Sequence, residues 1–480
     1  MMKWARIAAI AAWVALSALA SGCATNPVTG KSQFSLVSAQ QELAIGKDGY
    51  PAMLSEYGAY DDPRAAAYVD SVGQKLAAVS QLPNLDWHFT VLDDPVVNAF
   101  AMPGGYIYIT RGILAHLNSE AQLAGVLGHE IGHVTARHTA AQITKQQIAG
   151  LTLGLASAMS GTFQRYSGAA QQAMGLLFLK YSRDNETQAD ELGVGYATKA
   201  GYDPREIPLT YVMLARIGEQ SGQSMPAFMS THPDPGNREA RTRELAKTAA
   251  TGKSGLVIRN RDFVRRVDGL VYGNDPRQGW FEGTKFTQPQ LGFELTFPAG
   301  WQTQNTRSSV AAGSTDQTGA MQLTLAEAKD RSAVEFVQQL ATGGQIASFN
   351  GQRETIGGLD AWIGHISTTK TDGTAASLCA TFLRDGTQMY QLLGQSSTAE
   401  APIFASMRTF RKIPDAARRT VTPARVKVVT VAKTGAFSAV AASFGAQEID
   451  ANRESILNNV EPEEAVAAGT LLKLVPKVTR

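Results

Sequence analysis

At about Phe286 the hydrophobic period of the chain changes, and this switch constrains the fold more than any other feature. From about Gln41 to Leu245 apolar residues recur at helical spacing. From Phe286 onward the period is two. Leu291, Phe293, Leu295 and Phe297 alternate with polar or small residues, as do Met321, Leu323 and Leu325. Gly, Pro and Asp punctuate 269–298, with Asp275-Pro276 and Gly283 marking the boundary. A chain of 480 residues is too long for one core. The expected class is therefore α+β multidomain: a mainly helical domain with a small edge sheet over 24–280, then a smaller antiparallel α+β domain over 285–412. In the latter, Ser332 and Glu335 form a capping box opening a helix at 332–341. Strands are predicted at 359–367, 376–384 and 387–394, and a helix at 400–409. A basic, Pro-containing linker at 411–424 leads to a βααβ tail over 420–477. Its elements are predicted at Val426–Val431, 437–444, 452–459 and Thr470–Val475.

The N-terminus reads as an export signal. Lys3 and Arg6 precede an apolar stretch, Ile7 to Ala20, too short to span a bilayer. Leu19-Ala20-Ser21-Gly22-Cys23 resembles a lipobox, with Leu19 one position further back than usual. Residues 1–23 are thus expected to be a lipoprotein signal ending at a lipidated Cys23. The alternative is ordinary cleavage near Ala20. Ala24 in place of Asp after the cysteine favours the outer membrane, by resemblance to other bacterial lipoproteins. Residues 24–40 suit a tether. The other cysteine, Cys379, lies in a strand-like run and reads as a buried structural thiol. A net charge of +2 and the lack of a basic run with interleaved aromatics give no reason to expect nucleic acid.

The chemistry concentrates at His129-Glu130-Ile131-Gly132-His133. Ser119 and Gln122 form a capping box before an apolar-periodic run, Ala121 to Val134, so this pentapeptide lies on a helix. Positions four apart sit about 40° from each other around the axis, so both imidazoles share a face and suit a tetrahedral zinc. Glu130 is offset enough to reach a metal-bound water as general base. A catalytic zinc needs a third protein ligand. Tyr181-Ser182-Arg183-Asp184-Asn185-Glu186-Thr187-Gln188-Ala189-Asp190 supplies Glu186, with Asp190 placed to orient a ligand histidine through its far nitrogen. Asn98 to Ile109 mixes β-formers with a Pro-Gly-Gly turn. As an edge strand it would pair with an extended peptide, Asn98 or the Gly104 and Gly105 amides touching substrate. His138 is placed about 140° from His133 on a continuing helix, as a structural or capping residue. His88, His116 and His365 read as surface or hydrogen-bonded residues.

These motifs resemble the HtpX-like gluzincin zinc metallopeptidases, in particular the periplasmic BepA-type lipoproteins. The likeness covers about residues 25–250 and includes Ser230-Thr231-His232-Pro233 with Asn237-Arg238. It implies a zinc endopeptidase of envelope quality control, with one zinc held by His129, His133 and Glu186. Unfolded or misassembled envelope proteins are the expected partners. His232 or Arg238 would assist at the oxyanion. Alternatively His232, on a Pro- and Gly-rich loop, would close the open zinc position. The tail resembles a LysM module in element order and in its Ala468-Gly469-Thr470-Leu471 run, which raises peptidoglycan as a partner. It departs where Thr434-Gly435-Ala436 stands. Leu291 to Trp301 distantly resembles PsbP-like domains. The competing readings are a non-proteolytic chaperone or scaffold, and a cell-wall-binding lipoprotein with a structural metal.

Overall fold

The computed structural model describes residues 23–154, 175, 180–221, 228, 232, 235–369, 375–413 and 420–478. The signal segment before Cys23 lies outside them.

The stretch expected to be a tether is built in. Strand β1 (Cys23–Thr25) pairs with β2 (Ser32–Phe34). The Asn26 amide donates to the Ala136 carbonyl, and the Leu36 N–H to Thr144 Oγ1. These bonds fasten the segment to the helical domain, Asn26 satisfying a backbone carbonyl there and Thr144 satisfying a backbone N–H here. Helix α1 (Ala39–Tyr57) opens on a Ser38–Gln41 capping box, and α2 (Pro63–Ala77) on an Asp62 cap with proline in its first turn.

A three-stranded sheet follows: β3 (His88–Leu92), β4 (Ala99–Met102) and β5 (Tyr106–Thr110), in the order β3-β5-β4. Strand β4 is therefore an edge. Short helix α3 (Arg111–His116) leads into α4 (Glu120–Thr135), every residue of which is buried. Around α4 lie α5 (His138–Gly154), α6 (Arg183–Lys199), α7 (Ile207–Ser221), α8 (Pro235–Ala250) and α9 (Asn260–Arg266).

The period-two region is antiparallel. A four-stranded sheet holds β6 (Trp280–Glu282), β7 (Lys285–Gln288), β8 (Phe293–Thr296) and, at its far edge, β16 (Arg411–Lys412). The start of the expected linker is thus a strand. The second sheet has seven strands. These are β9 (Gln302–Asn305), β10 (Ser309–Gly313), β11 (Gly319–Glu327), β12 (Ser348–Ile356), β13 (Leu359–Thr369), β14 (Ala375–Asp385) and β15 (Gln388–Ser396), in the order β12-β13-β14-β15-β11-β10-β9. Helix α10 (Ala333–Thr342), opened by the Ser332–Glu335 capping box, covers one face with Phe336 and Val337 against Trp362 and Phe382. Helix α11 (Ala401–Met407) covers the other, where Ile403 and Met407 meet Ile363, Cys379 and Leu383. Alternation sends neighbouring residues of β13 and β14 into different cores.

The tail has the four expected elements, β17 (Lys427–Thr430), α12 (Phe437–Ala442), α13 (Ala451–Asn458) and β20 (Leu471–Leu474), with two further two-residue strands, β18 (Gly435–Ala436) and β19 (Ala465–Val466), paired inside them. Val426, Ile456, Leu457 and Val475 belong to the same core as the helical domain. Ala424 to Val426 bond to Gly269, Leu270 and Tyr272 through backbone groups. Among the described residues no helix is long and apolar enough to cross a membrane.

Candidate metal centre

Helix α4 starts where the sequence places it. Ser119 Oγ accepts the Gln122 N–H, but the Gln122 side chain accepts from Asn118 N–H, one residue earlier than a standard capping box. His129, Glu130 and His133 are almost fully buried. Helix α6, opened by a Ser182–Asn185 capping box, brings Glu186 and Asp190 alongside. The two helices approach closely because small residues face each other. A Cβ added to Gly193 would stand 2.9 Å from His129 N, and one on Gly132 would stand 3.2 Å from Ala189 Cα.

Four donors converge. His129 Nε2 is 3.0 Å from His133 Nε2. Glu186 lies 3.4 Å from His129 Nε2 and 3.5 Å from His133 Nε2. His232 Nδ1 sits 3.0 Å from Glu186 Oε1 and 3.3 Å from His129 Nε2. All four ligand atoms lie within 4.8 Å of one another. Two imidazole nitrogens facing each other share at most one proton, and three around a carboxylate are a donor set for a cation. Both Glu130 oxygens are buried without a hydrogen-bond partner among the described residues, although His232 Nε2 is 3.7 Å away. An orphaned buried carboxylate beside such a set fits a zinc site in which the acid serves a bound water. The residues present therefore fit one zinc ion.

A surrounding shell fixes the rings. Asp190 Oδ1 is 3.0 Å from His129 Nδ1. Arg238 pairs with Asp190 at 2.6 Å and with Glu186 at 2.7 Å, Arg241 pairs with Asp190 at 2.6 Å, and the Tyr211 hydroxyl donates to Asp190. Arg238, one of the two candidates for the oxyanion, thus pairs with the two carboxylates. His138 is not on the metal helix. The helix ends at Thr135, Arg137 takes a left-handed φ of 57°, and His138 opens α5. The turn points its Nδ1 at His133 Nδ1, 3.0 Å away, while its Nε2 faces Gln188 Oε1. Tyr181 stacks on His133 with ring centroids 3.9 Å apart, and Phe228 stacks on His232 at 4.5 Å. The segment quoted around Glu186 already contained Tyr181 and Gln188. Tyr211 and Phe228 carry no local signature.

The electrostatics follow from burial against charge. Burial and the Arg238 cation oppose protonation of His129, yet Asp190 and Glu186 hold its pKa up at about 9. Burial and the neighbouring His129 charge push His133 well below the usual imidazole range. Burial raises Glu130. Glu186 is held low, since His232, His129 and His133 outweigh its burial.

Strand β4 packs beside α4. Asn98, just before it, has a buried Oδ1 without a hydrogen-bond partner among the described residues. Gly104 and Gly105 lie in the turn that joins β4 to β5. They have φ of 82° and 92°, are buried, and sit so close to the carbonyls of Glu42 and Asp86 that a Cβ would stand 2.9 Å from each. Their glycine identity follows from the turn and its packing.

Residues 63–246 match the profile of peptidase family M48. The chain is 34% identical over 213 residues to the mitochondrial metalloendopeptidase OMA1 of Schizosaccharomyces pombe, covering 43% of this chain and 61% of that protein. It is 28% identical over 252 residues to the β-barrel assembly-enhancing protease of Escherichia coli, covering 50% and 51%. A 32% identical relative from Vibrio cholerae, named a putative β-barrel assembly-enhancing protease, is covered over 47% of its length. The chain thus spans less than two thirds of these relatives. A cyanobacterial PsbP structure aligns with 28% of this chain at 10% identity and a TM-score of 0.21. Residues 63–246, which carry the two-histidine helix and the Glu186 helix, are thus similar to peptidase family M48 and to the metalloendopeptidase and protease relatives named above.

Proposed function

We propose that the chain is a zinc-dependent endopeptidase that hydrolyses peptide bonds of unfolded or misassembled cell-envelope proteins. The observation that carries this reading is the Glu130 carboxylate, buried and without a hydrogen-bond partner among the described residues, beside three imidazoles and Glu186. A scaffold or structural metal site has no use for such a group. His129, His133 and Glu186 would hold the metal, which when bound supplies a Lewis acid and an acidified water. The chain's own groups do the rest. Glu130 accepts the proton of the attacking water at its carboxylate and returns it to the leaving amine. Burial raises its pKa, which suits a group that must carry that proton between the two steps. Asp190 and His138 orient the two imidazoles. The β4 edge aligns an extended peptide by backbone pairing, with Asn98 Oδ1 accepting from it. His232 Nε2, near Glu130, faces the reacting region.

The envelope address is supported by the export-type N-terminus and the names of the bacterial relatives. Cys23 is the proposed lipid anchor to the outer membrane, and Cys23→Ser should shift the protein to the soluble fraction. Retention on purified peptidoglycan tests whether the tail binds that polymer. The deciding experiment compares wild type with Glu130→Gln. The variant is expected to keep its zinc and lose cleavage of an unfolded protein. Retained cleavage, or loss of zinc, overturns the assignment.

A further inference from the structure

We propose that His365, Cys379 and Glu400 form a second metal site, for a divalent cation of the zinc class, in the β-rich domain. Their ligand atoms all lie within 4.8 Å of one another. They come from three elements. His365 on β13 and Cys379 on β14 are directly opposed cross-strand partners, so their side chains share the face covered by α11. Glu400 occupies the position that caps α11, yet its side chain makes no capping bond. It turns instead to His365, Oε2 lying 2.8 Å from Nε2. Phe404, one turn along α11, meets the imidazole edge-on at 5.2 Å. On its other side Cys379 opposes Gly394, over which Ile403 of α11 sits, and this keeps the helix start close to the thiol.

The site has a floor and a mouth. Cys379 is wholly buried, whereas the His365 and Glu400 side chains are 41% and 43% exposed. A cation can therefore enter from solvent between the imidazole and the carboxylate and meet the sulfur beneath. The His365–Glu400 hydrogen bond accounts for two of the three residues. A metal accounts for all of them, because a thiolate, an imidazole and a carboxylate are a mixed S, N, O set that zinc accepts and that hard cations such as magnesium do not favour. A thiol ligates a cation only after losing its proton. Binding would release that proton to solvent and place a thiolate on the cation. Three protein ligands leave a fourth position open to water.

The peptidase centre contains no cysteine, and the one other cysteine is Cys23 at the proposed lipid anchor, so a sulfur signature that is lost in Cys379→Ser reports the second site alone. The full chain is loaded with Co²⁺, alongside a His129→Ala/His133→Ala variant that lacks the peptidase donors. Both should show thiolate-to-cobalt charge-transfer absorption, and the variant should still retain one zinc after dialysis. Cys379→Ser should abolish the absorption in both. His365→Gln and Glu400→Gln, at half-exposed positions that leave the core intact, should weaken zinc at this site by more than the roughly 10- to 100-fold cost of an outer-shell partner. Absence of the absorption from wild type, its survival in Cys379→Ser, or unchanged zinc affinity in both glutamine variants overturns the proposal. Loss of peptidase activity alone bears only on the first site.

Discussion

Lys473 Nζ lies 2.6 Å from the Leu117 carbonyl and 2.7 Å from that of Ala115, fully buried between the last strand of the tail and the entry to the metal helix. Burial drives its pKa well below the usual lysine range. The tail is therefore a clasp on the helical domain, not a tethered module.

Lys473→Ala leaves two buried carbonyls unsatisfied and a cavity behind. It should cost about 2–5 kcal/mol of stability, read by chemical denaturation. Deleting 424–480 also removes Ile456, Leu457 and Val475 from the shared core, uncovers the helical-domain residues that pack in it, and should leave an aggregating protein. A truncated chain with wild-type stability and activity would refute the clasp.

Gly193→Ala tests how the two metal-bearing helices are spaced. The added Cβ meets His129 N at 2.9 Å and Gly128 C at 3.2 Å, both backbone atoms that cannot swing aside. The helices must part, carrying Glu186 away from the imidazoles. The expected loss is about 1–3 kcal/mol of stability, with weaker zinc retention under chelator. Unchanged zinc affinity would show that the spacing is not set there.

Local chemistry was readable because it is periodic. The period change near Phe286, the Ser332–Glu335 box and the four-residue spacings of His129–His133 and Glu186–Asp190 each follow from one helix or strand. What escaped depends on a break or on distant packing. His138 was placed on the metal helix because nothing in Ala136-Arg137 announces a left-handed turn. The pairing of Arg238 with Glu186 and Asp190 is not legible either, because it needs α6 and α8 side by side. The meeting of His365, Cys379 and Glu400 likewise needs a strand register and a helix start that no local pattern encodes.

The contribution of Glu454 to stability should fall as pH rises through the weakly acidic range. Burial pushes this carboxyl up to about 7, the Val475 N–H opposing and Asp450 assisting. Its folded pKa thus exceeds the unfolded value of 4.5. The folded state binds the proton more tightly, so the contribution is fully present below about pH 4.5 and is lost by about pH 7. His116, which burial lowers to about 4, acts with the opposite sign. The comparison with Glu454→Gln isolates the glutamate. The variant should lose less stability than wild type between these limits, and equal losses would refute the assignment.

His232 offers a test whose outcomes differ in sign. Its Nδ1 lies within the donor cluster, 3.0 Å from Glu186 Oε1, and its ring is held by Phe228. Residues 231 and 233–234 beside it lie outside the described residues. Three imidazoles and a carboxylate complete a tetrahedral set and leave no position for water. In that arrangement the enzyme is silent until substrate expels His232. His232→Ala should then raise basal cleavage of an unfolded protein while loosening zinc only modestly, since His129, His133 and Glu186 remain. Were His232 instead a donor to the oxyanion, through the Nε2 that sits 3.7 Å from Glu130, the same change should lower cleavage by roughly ten- to a thousandfold. Cleavage and zinc affinity equal to wild type would exclude both roles, leaving the stacking on Phe228 as the reason for a histidine at this position.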